Sequence, residues 1–90
     1  MSSTSKKHDN FVSQPMGEKS VRALPGIGEV LGGRLMTNGF GEASDVLGQY
    51  LKLDKDPERF HGWLKETCNA NSKQRSDCYD GLEDWCANNL

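Results

Sequence analysis

The stretch LPGIGEVLGGRL, Leu24 to Leu35, constrains this chain more than any other. Two glycines flank a lone isoleucine, a proline precedes them, and an apolar rhythm of helical spacing follows at once. Glycine reaches backbone conformations that other residues resist, and it removes side-chain bulk where a backbone must lie close to something else. The stretch predicts either a tight structural turn or a backbone presented to a partner. These two readings lead to different functions.

Elsewhere apolar positions recur at helical spacing, and no segment alternates for long with period two. A first helix over Ser5 to Ser13 stops before Pro15, because a proline disfavours helix at the residue preceding it. Ser20 caps a one-turn helix through Leu24. Glu29 to Asn38 forms the helix after the glycines, with Gly39 placed as its stop. Ala43, Val46, Leu47, Tyr50 and Leu51 make a further stripe. In DPERFHGWLKETC, Asp56 caps, Pro57 suits the first helical position, and Phe60, Trp63, Leu64 and Cys68 share a face. Ser72 is expected to cap the last helix, whose apolar face carries Cys78, Leu82, Trp85 and Cys86. The fold class is all-α: a compact bundle of five to six short helices in a single domain over residues 1–90, with a helix–hairpin–helix motif at about residues 20–39.

Ninety residues make one domain at most. A chain of this size buries roughly 60–65% of its unfolded surface, so its core is modest and a partner surface contributes noticeably. Eleven Lys and Arg face thirteen Asp and Glu, a net charge of −2, which removes the simplest argument for nucleic-acid binding, a strongly basic domain. A local basic face remains open, because charge acts through its distribution as well as its sum. There is no apolar run of about 18 residues to insert in a membrane, and MSSTSKKHDN lacks the apolar core of a secretory signal. Cys68, Cys78 and Cys86 are odd in number and lack C-x-x-C spacing, which suggests reduced thiols in an intracellular protein, with one able to bridge to a second chain.

Helix, PGIG, helix is the pattern of a helix–hairpin–helix. Amides at the start of the second helix point outward, and the helix dipole favours an anion there. Ile27 faces inward and holds the two helices together. Such a grip uses main-chain donors, needs little net positive charge, and reads no bases. Lys6, Lys7, Arg34, Lys73 and Arg75 supply supporting charge. Each taken singly reads as a solvated surface residue; gathered beside the hairpin, they would make a phosphate-tracking face.

The chain also resembles the barrier-to-autointegration factor family. The resemblance is carried by KHDNFVSQPMGEK (Lys7 to Lys19), GIGEVLGGRL (Gly26 to Leu35), VLGQYL (Val46 to Leu51), WLKETCNANSKQ (Trp63 to Gln74), DC at Asp77–Cys78 and DWC at Asp84–Cys86. It implies a small all-helical, SAM-like protein that forms a symmetric homodimer and binds double-stranded DNA without sequence preference, so that one dimer bridges two duplexes. The DNA face it implies comprises the hairpin amides at Gly26, Ile27, Gly28 and Val30, with Lys7, Ser72 and Lys73. Arg34 and Arg75 join it as nearby cations. KQRSD puts Arg75 one place earlier than the family's arginine in KQSRD, about 100° around the helix. The dimer contact implied by the resemblance falls on Leu47, Gly48, Tyr50 and Cys86, although periodicity alone places Leu47 and Tyr50 equally well in a protomer core. The resemblance further implies a nuclear setting at chromatin and the nuclear periphery, with cytoplasm also open. It implies phosphorylation of the N-terminal tip by a vaccinia-related kinase, at Thr4 and Ser5.

Family members also hold LEM-domain proteins in an apolar groove across the dimer. Here Lys52 and Arg59 stand at two positions that are apolar in familiar members. A cation in an apolar groove must be desolvated or must push the partner away, so weakened or lost LEM-domain binding is expected. Gly81 replaces a frequent cysteine, and a mid-helix glycine costs about 1 kcal/mol against alanine. Asp9 replaces a basic residue near the DNA face. Together with the acidic balance, these departures support a rival function, a dimeric protein-interaction adaptor with weakened or lost DNA binding. No Ser/His/Asp or Cys/His grouping supports an enzyme, and the cysteines and histidines offer no metal-ligand spacing, so no cofactor and no metal are expected.

Overall fold

The computed structural model describes residues 6–90; Thr4 and Ser5 lie outside the described residues. Among the described residues five α-helices and one 3-10 turn follow in order: α1 (Lys6–Val12), the 3-10 turn (Val21–Ala23), α2 (Glu29–Thr37), α3 (Ala43–Lys52), α4 (Pro57–Cys68) and α5 (Ser72–Asn89). No strand occurs among the described residues. The all-α expectation holds.

Local chemistry sets the boundaries. Ser20 caps the 3-10 turn by accepting from the Arg22 amide at 3.1 Å. Asp56 accepts from the Glu58 amide at 3.0 Å, with Pro57 at the first helical position. α4 ends on Asn69 in the left-handed conformation, φ 60°. The cap of α5 is Asn71 rather than Ser72, which is the first helical residue. Asn71 accepts from the Gln74 amide and Gln74 accepts from the Asn71 amide, both at 2.8 Å. This reciprocal pair satisfies two amides that Ser72, with Arg75 three residues on, would leave open.

The core lies where the predicted stripes converge. Val21, Leu24, Ile27, Leu35, Phe60, Leu64 and Leu82 are wholly buried. Tyr50 packs edge-on against Phe60 and Tyr79, with ring centroids 5.7 and 5.5 Å away. α1 docks on α5 through buried Phe11 and Val12. That seam is bonded by the Trp85 indole N–H on the Gln14 carbonyl (2.8 Å), the Asn89 amide group on the Val12 carbonyl (3.2 Å) and His8 Nε2 on Asp84 Oδ2 (2.9 Å). Gly81, expected to be a mere weakness in α5, is a contact point instead. A Cβ there would sit 2.7 Å from Pro25 Cγ, so the bare helix face seats the proline that opens the hairpin.

All three cysteines are free thiols and buried. Burial raises each thiol pKa, most strongly at Cys78, and likewise raises the Tyr50 phenol. For acids held neutral by the fold, stability is present below the unfolded pKa and is lost as pH rises beyond it, because the unfolded chain releases protons that the native chain retains. The melting temperature should therefore fall from about pH 9 upward, where free thiols and then phenols ionise. A melting temperature unchanged up to about pH 11 would contradict this assignment.

Candidate nucleic-acid interface

The two hairpin glycines answer to different demands. Gly26 has φ 80°, a left-handed conformation that disfavours any side chain. A Cβ on it would lie 2.5 Å from the Gln74 carbonyl oxygen and 3.0 Å from Asp77 Cβ. Its bareness serves the interior, letting the first turn of α5 press against the hairpin. Gly28 is different. It is the N-cap of α2 in ordinary extended geometry, φ −109° and ψ −159°, and a Cβ there would meet nothing within 4 Å. Gly28 leaves open space, and it faces outward.

The open space lies over unsatisfied donors. The first backbone bond closing α2 runs from the Gly32 amide to the Gly28 carbonyl at 2.8 Å. The amides of Gly28, Glu29 and Val30 have no acceptor among the described residues. These are the orphan donors of a helix start, and together with the dipole they favour an anion. The Val30 side chain is also exposed, at 65%. Ile27 departs from the expectation for its amide. Its side chain is fully buried, as its place in the hairpin suggested, but its N–H donates to the Leu24 carbonyl at 3.0 Å and is not available to a ligand.

Lys7 reaches the hairpin from α1, its ammonium donating to the Ile27 carbonyl. This fixes a cation one residue before the open amides. Partial burial lowers the Lys7 pKa from its ordinary value, with Cys78 a smaller opposing influence. The start of α5 adjoins the same hairpin through the Gly26–Gln74 contact. There Ser72 is exposed, and Lys73, 82% exposed, pairs with Asp77 at 3.0 Å. Two helix N-termini and two lysines thus border one surface.

The arginines are engaged elsewhere. Arg34 donates to the Cys68 carbonyl at 3.0 Å, and Arg75 to the Ala70 carbonyl at 2.7 Å. Both guanidinium groups clasp the turn between α4 and α5, where the negative end of the α4 dipole favours them. Arg75 Nε is buried without a hydrogen bond. The sequence alone did not reveal this inward use of two cations. It also gave no role to Arg22, which pairs with Glu29 at the hairpin exit. The adjacent Gly32 and Gly33 were the available signal, since paired glycines inside a helix mark a close neighbour.

Away from the hairpin, the residues associated with dimerisation divide into two groups. Leu47 is half-buried and Gly48 exposed on the outer side of α3. Tyr50 is only 1% and Cys86 only 7% exposed, so both side chains already belong to the protomer interior. Lys52 is exposed at the end of α3. Arg59 is exposed as well, with Asp54 and Asp56 carboxylates no nearer than 3.9 and 3.8 Å. Among the described residues no group of His, Cys, Asp or Glu is arranged to hold a metal, and no helix is long and apolar enough to cross a membrane.

Fold and surface define a class: a small all-helical protein built on a helix–hairpin–helix whose second helix begins with open amides. Comparison with known proteins narrows it further. The family model described as barrier to autointegration factor matches residues 2–89. The chain is 64% identical over 86 residues to barrier-to-autointegration factor of Danio rerio and equally to that of Drosophila melanogaster, covering 96% of each chain. Identity to the Homo sapiens protein of the same name is 57% over 83 residues, covering 92% of this chain and 93% of the relative. The chain belongs to the barrier-to-autointegration factor family.

Proposed function

We propose that this protein binds double-stranded DNA without sequence preference and, as a homodimer of a single domain over residues 1–90, bridges two duplexes in nuclear chromatin and at the nuclear periphery. The observation that carries the reading is the set of open amides at Gly28, Glu29 and Val30, bordered by Lys7 and by the start of α5 with Ser72 and Lys73. Backbone amides and lysines on phosphate give attachment without base reading. A two-fold dimer with one such surface per subunit presents two equal sites, and bridging needs no further part. The dimer contact proposed is the outer face of α3 at Leu47 and Gly48, extended by Leu51, 41% exposed, with Tyr50 and Cys86 supporting it from within.

The deciding experiment offers two distinguishable duplexes at several salt concentrations. Co-precipitation of both is expected, with log affinity falling against log salt by about 0.9 for each phosphate neutralised. Absence of any complex at low salt would favour the adaptor reading, which the engagement of Arg34 and Arg75 on the α4–α5 turn supports.

Two partner relations follow on the same reading. A phosphate on Thr4 or Ser5, placed by a vaccinia-related kinase, would bring up to about two negative charges next to Lys6 and Lys7 and repel DNA. Ser5→Glu should weaken duplex binding, and equal affinity would argue that no such switch exists. LEM-domain binding is weakened by exposed Lys52 and Arg59. Lys52→Val with Arg59→Leu should strengthen capture of a LEM domain in a pull-down. Ordinary capture by the parent chain would refute that weakening.

A further inference from the structure

We propose that Arg22 is a positioning residue for the candidate phosphate surface, holding the Glu29 carboxylate away from the open amides of α2; this rests on the DNA-binding reading above. Arg22 is the middle residue of the 3-10 turn, and its side chain crosses onto the flank of α2. A Cβ on Gly32 would lie 2.5 Å from Arg22 Cγ and 3.2 Å from Nε, and one on Gly33 would lie 3.8 Å from a terminal guanidinium nitrogen. Two successive glycines therefore form a trough in α2 that the arginine stem fills. Its Nη1 rests 3.0 Å from Met36 Sδ. Nε stands 2.9 Å from Glu29 Oε1 but makes no hydrogen bond, so the pair is held by charge rather than by an aligned donor.

Glu29 is the first residue of α2, and its side chain is 86% exposed. A carboxylate at that position is drawn to the positive end of its own helix. Left alone, it would fold toward the amides of Glu29 and Val30, competing with phosphate and repelling it. Arg22 opposes both effects by holding the carboxylate on the helix flank and balancing its charge. The trough gives the arrangement a purpose: glycines in the interior of α2 weaken the helix, yet here they admit the arginine that pairs with Glu29.

The test uses the full chain and a fluorescein-labelled duplex of arbitrary sequence, with fluorescence anisotropy read at several salt concentrations. Arg22→Met keeps an apolar stem in the trough and removes the charge, which guards against misfolding; melting curves check that it folds. R22M should bind roughly tenfold more weakly than the parent, the scale of one unbalanced charge near an anion site. Adding Glu29→Gln should restore binding to within about twofold of E29Q alone, and Arg22→Lys should retain most of the affinity. The salt slope should be the same throughout, since no phosphate contact is removed. A slope reduced by about one in R22M, with no rescue by E29Q, would assign Arg22 to phosphate itself and overturn the proposal. Unchanged affinity in R22M would overturn it as well. If the parent fails to bind duplex at low salt, the DNA-binding reading falls and this proposal falls with it. A binding parent with the wrong variant pattern sinks this proposal alone.

Discussion

Gly28→Asp should fold at least as well as the parent and lose most of its affinity for duplex DNA. The position is extended, with φ −109°, so any residue is accepted, and a Cβ there meets nothing within 4 Å. Aspartate is a stronger N-cap than glycine by a few tenths of a kcal/mol, and its charge suits the helix dipole. The side chain that improves the helix does so by accepting from the amides that the proposed phosphate uses. Losing charge-assisted bonds and meeting a like charge should cost about 2–3 kcal/mol of binding, roughly 30- to 150-fold. Gly28→Ser, a neutral cap, should lose less. Melting temperature and anisotropy on the same samples check both halves. A Gly28→Asp protein that binds as tightly as the parent would remove the hairpin from the interface. Gly26→Glu is a poorer probe, because φ 80° and the Gln74 carbonyl make it a folding lesion first.

The second large effect concerns stability. Gly81→Ala would ordinarily strengthen a helix by about 1 kcal/mol. Here the added methyl would lie 2.7 Å from Pro25 Cγ and 2.9 Å from its Cδ, and Pro25 is itself fully buried. The expected outcome is a net loss of about 1–3 kcal/mol, the usual scale of overpacking. Pro25→Ala combined with Gly81→Ala should recover much of that loss, since the colliding ring is gone. Urea melts of the four proteins measure the coupling. Additive effects of the two substitutions would show that the proline and the bare helix face are not matched to each other.

Much of the architecture was legible in the chain because amphipathic spacing and caps act locally. Phe60, Leu64 and Cys68 fall on one buried face of α4, and Asp56 and Pro57 mark its start as expected. The boundary of α5 shifted by one residue for a local reason too: Asn71 has Gln74 three places on, and Ser72 has no such partner. What escaped was set by contacts between distant segments. Gly26 and Gly28 are indistinguishable in a sequence, yet α5 presses on one and nothing touches the other. Arg34 and Arg75 read as surface cations until the turn at residues 68–70 comes between them. Tyr50 fitted core and interface equally well by periodicity. The rings of Phe60 and Tyr79 place it within the protomer.

Over its described residues, Lys6–Val12, α1 is held to the bundle by its seam with α5, where the Trp85 indole bonds the Gln14 carbonyl and Asn89 bonds the Val12 carbonyl. Lys7 travels with it. Hydrogen exchange should find α1 opening at lower free energy than α4 or the middle of α5, as peripheral elements do. Mild warming would then withdraw the ammonium from the hairpin while the rest of the bundle endures. Such a molecule would lose its hold before it lost its shape.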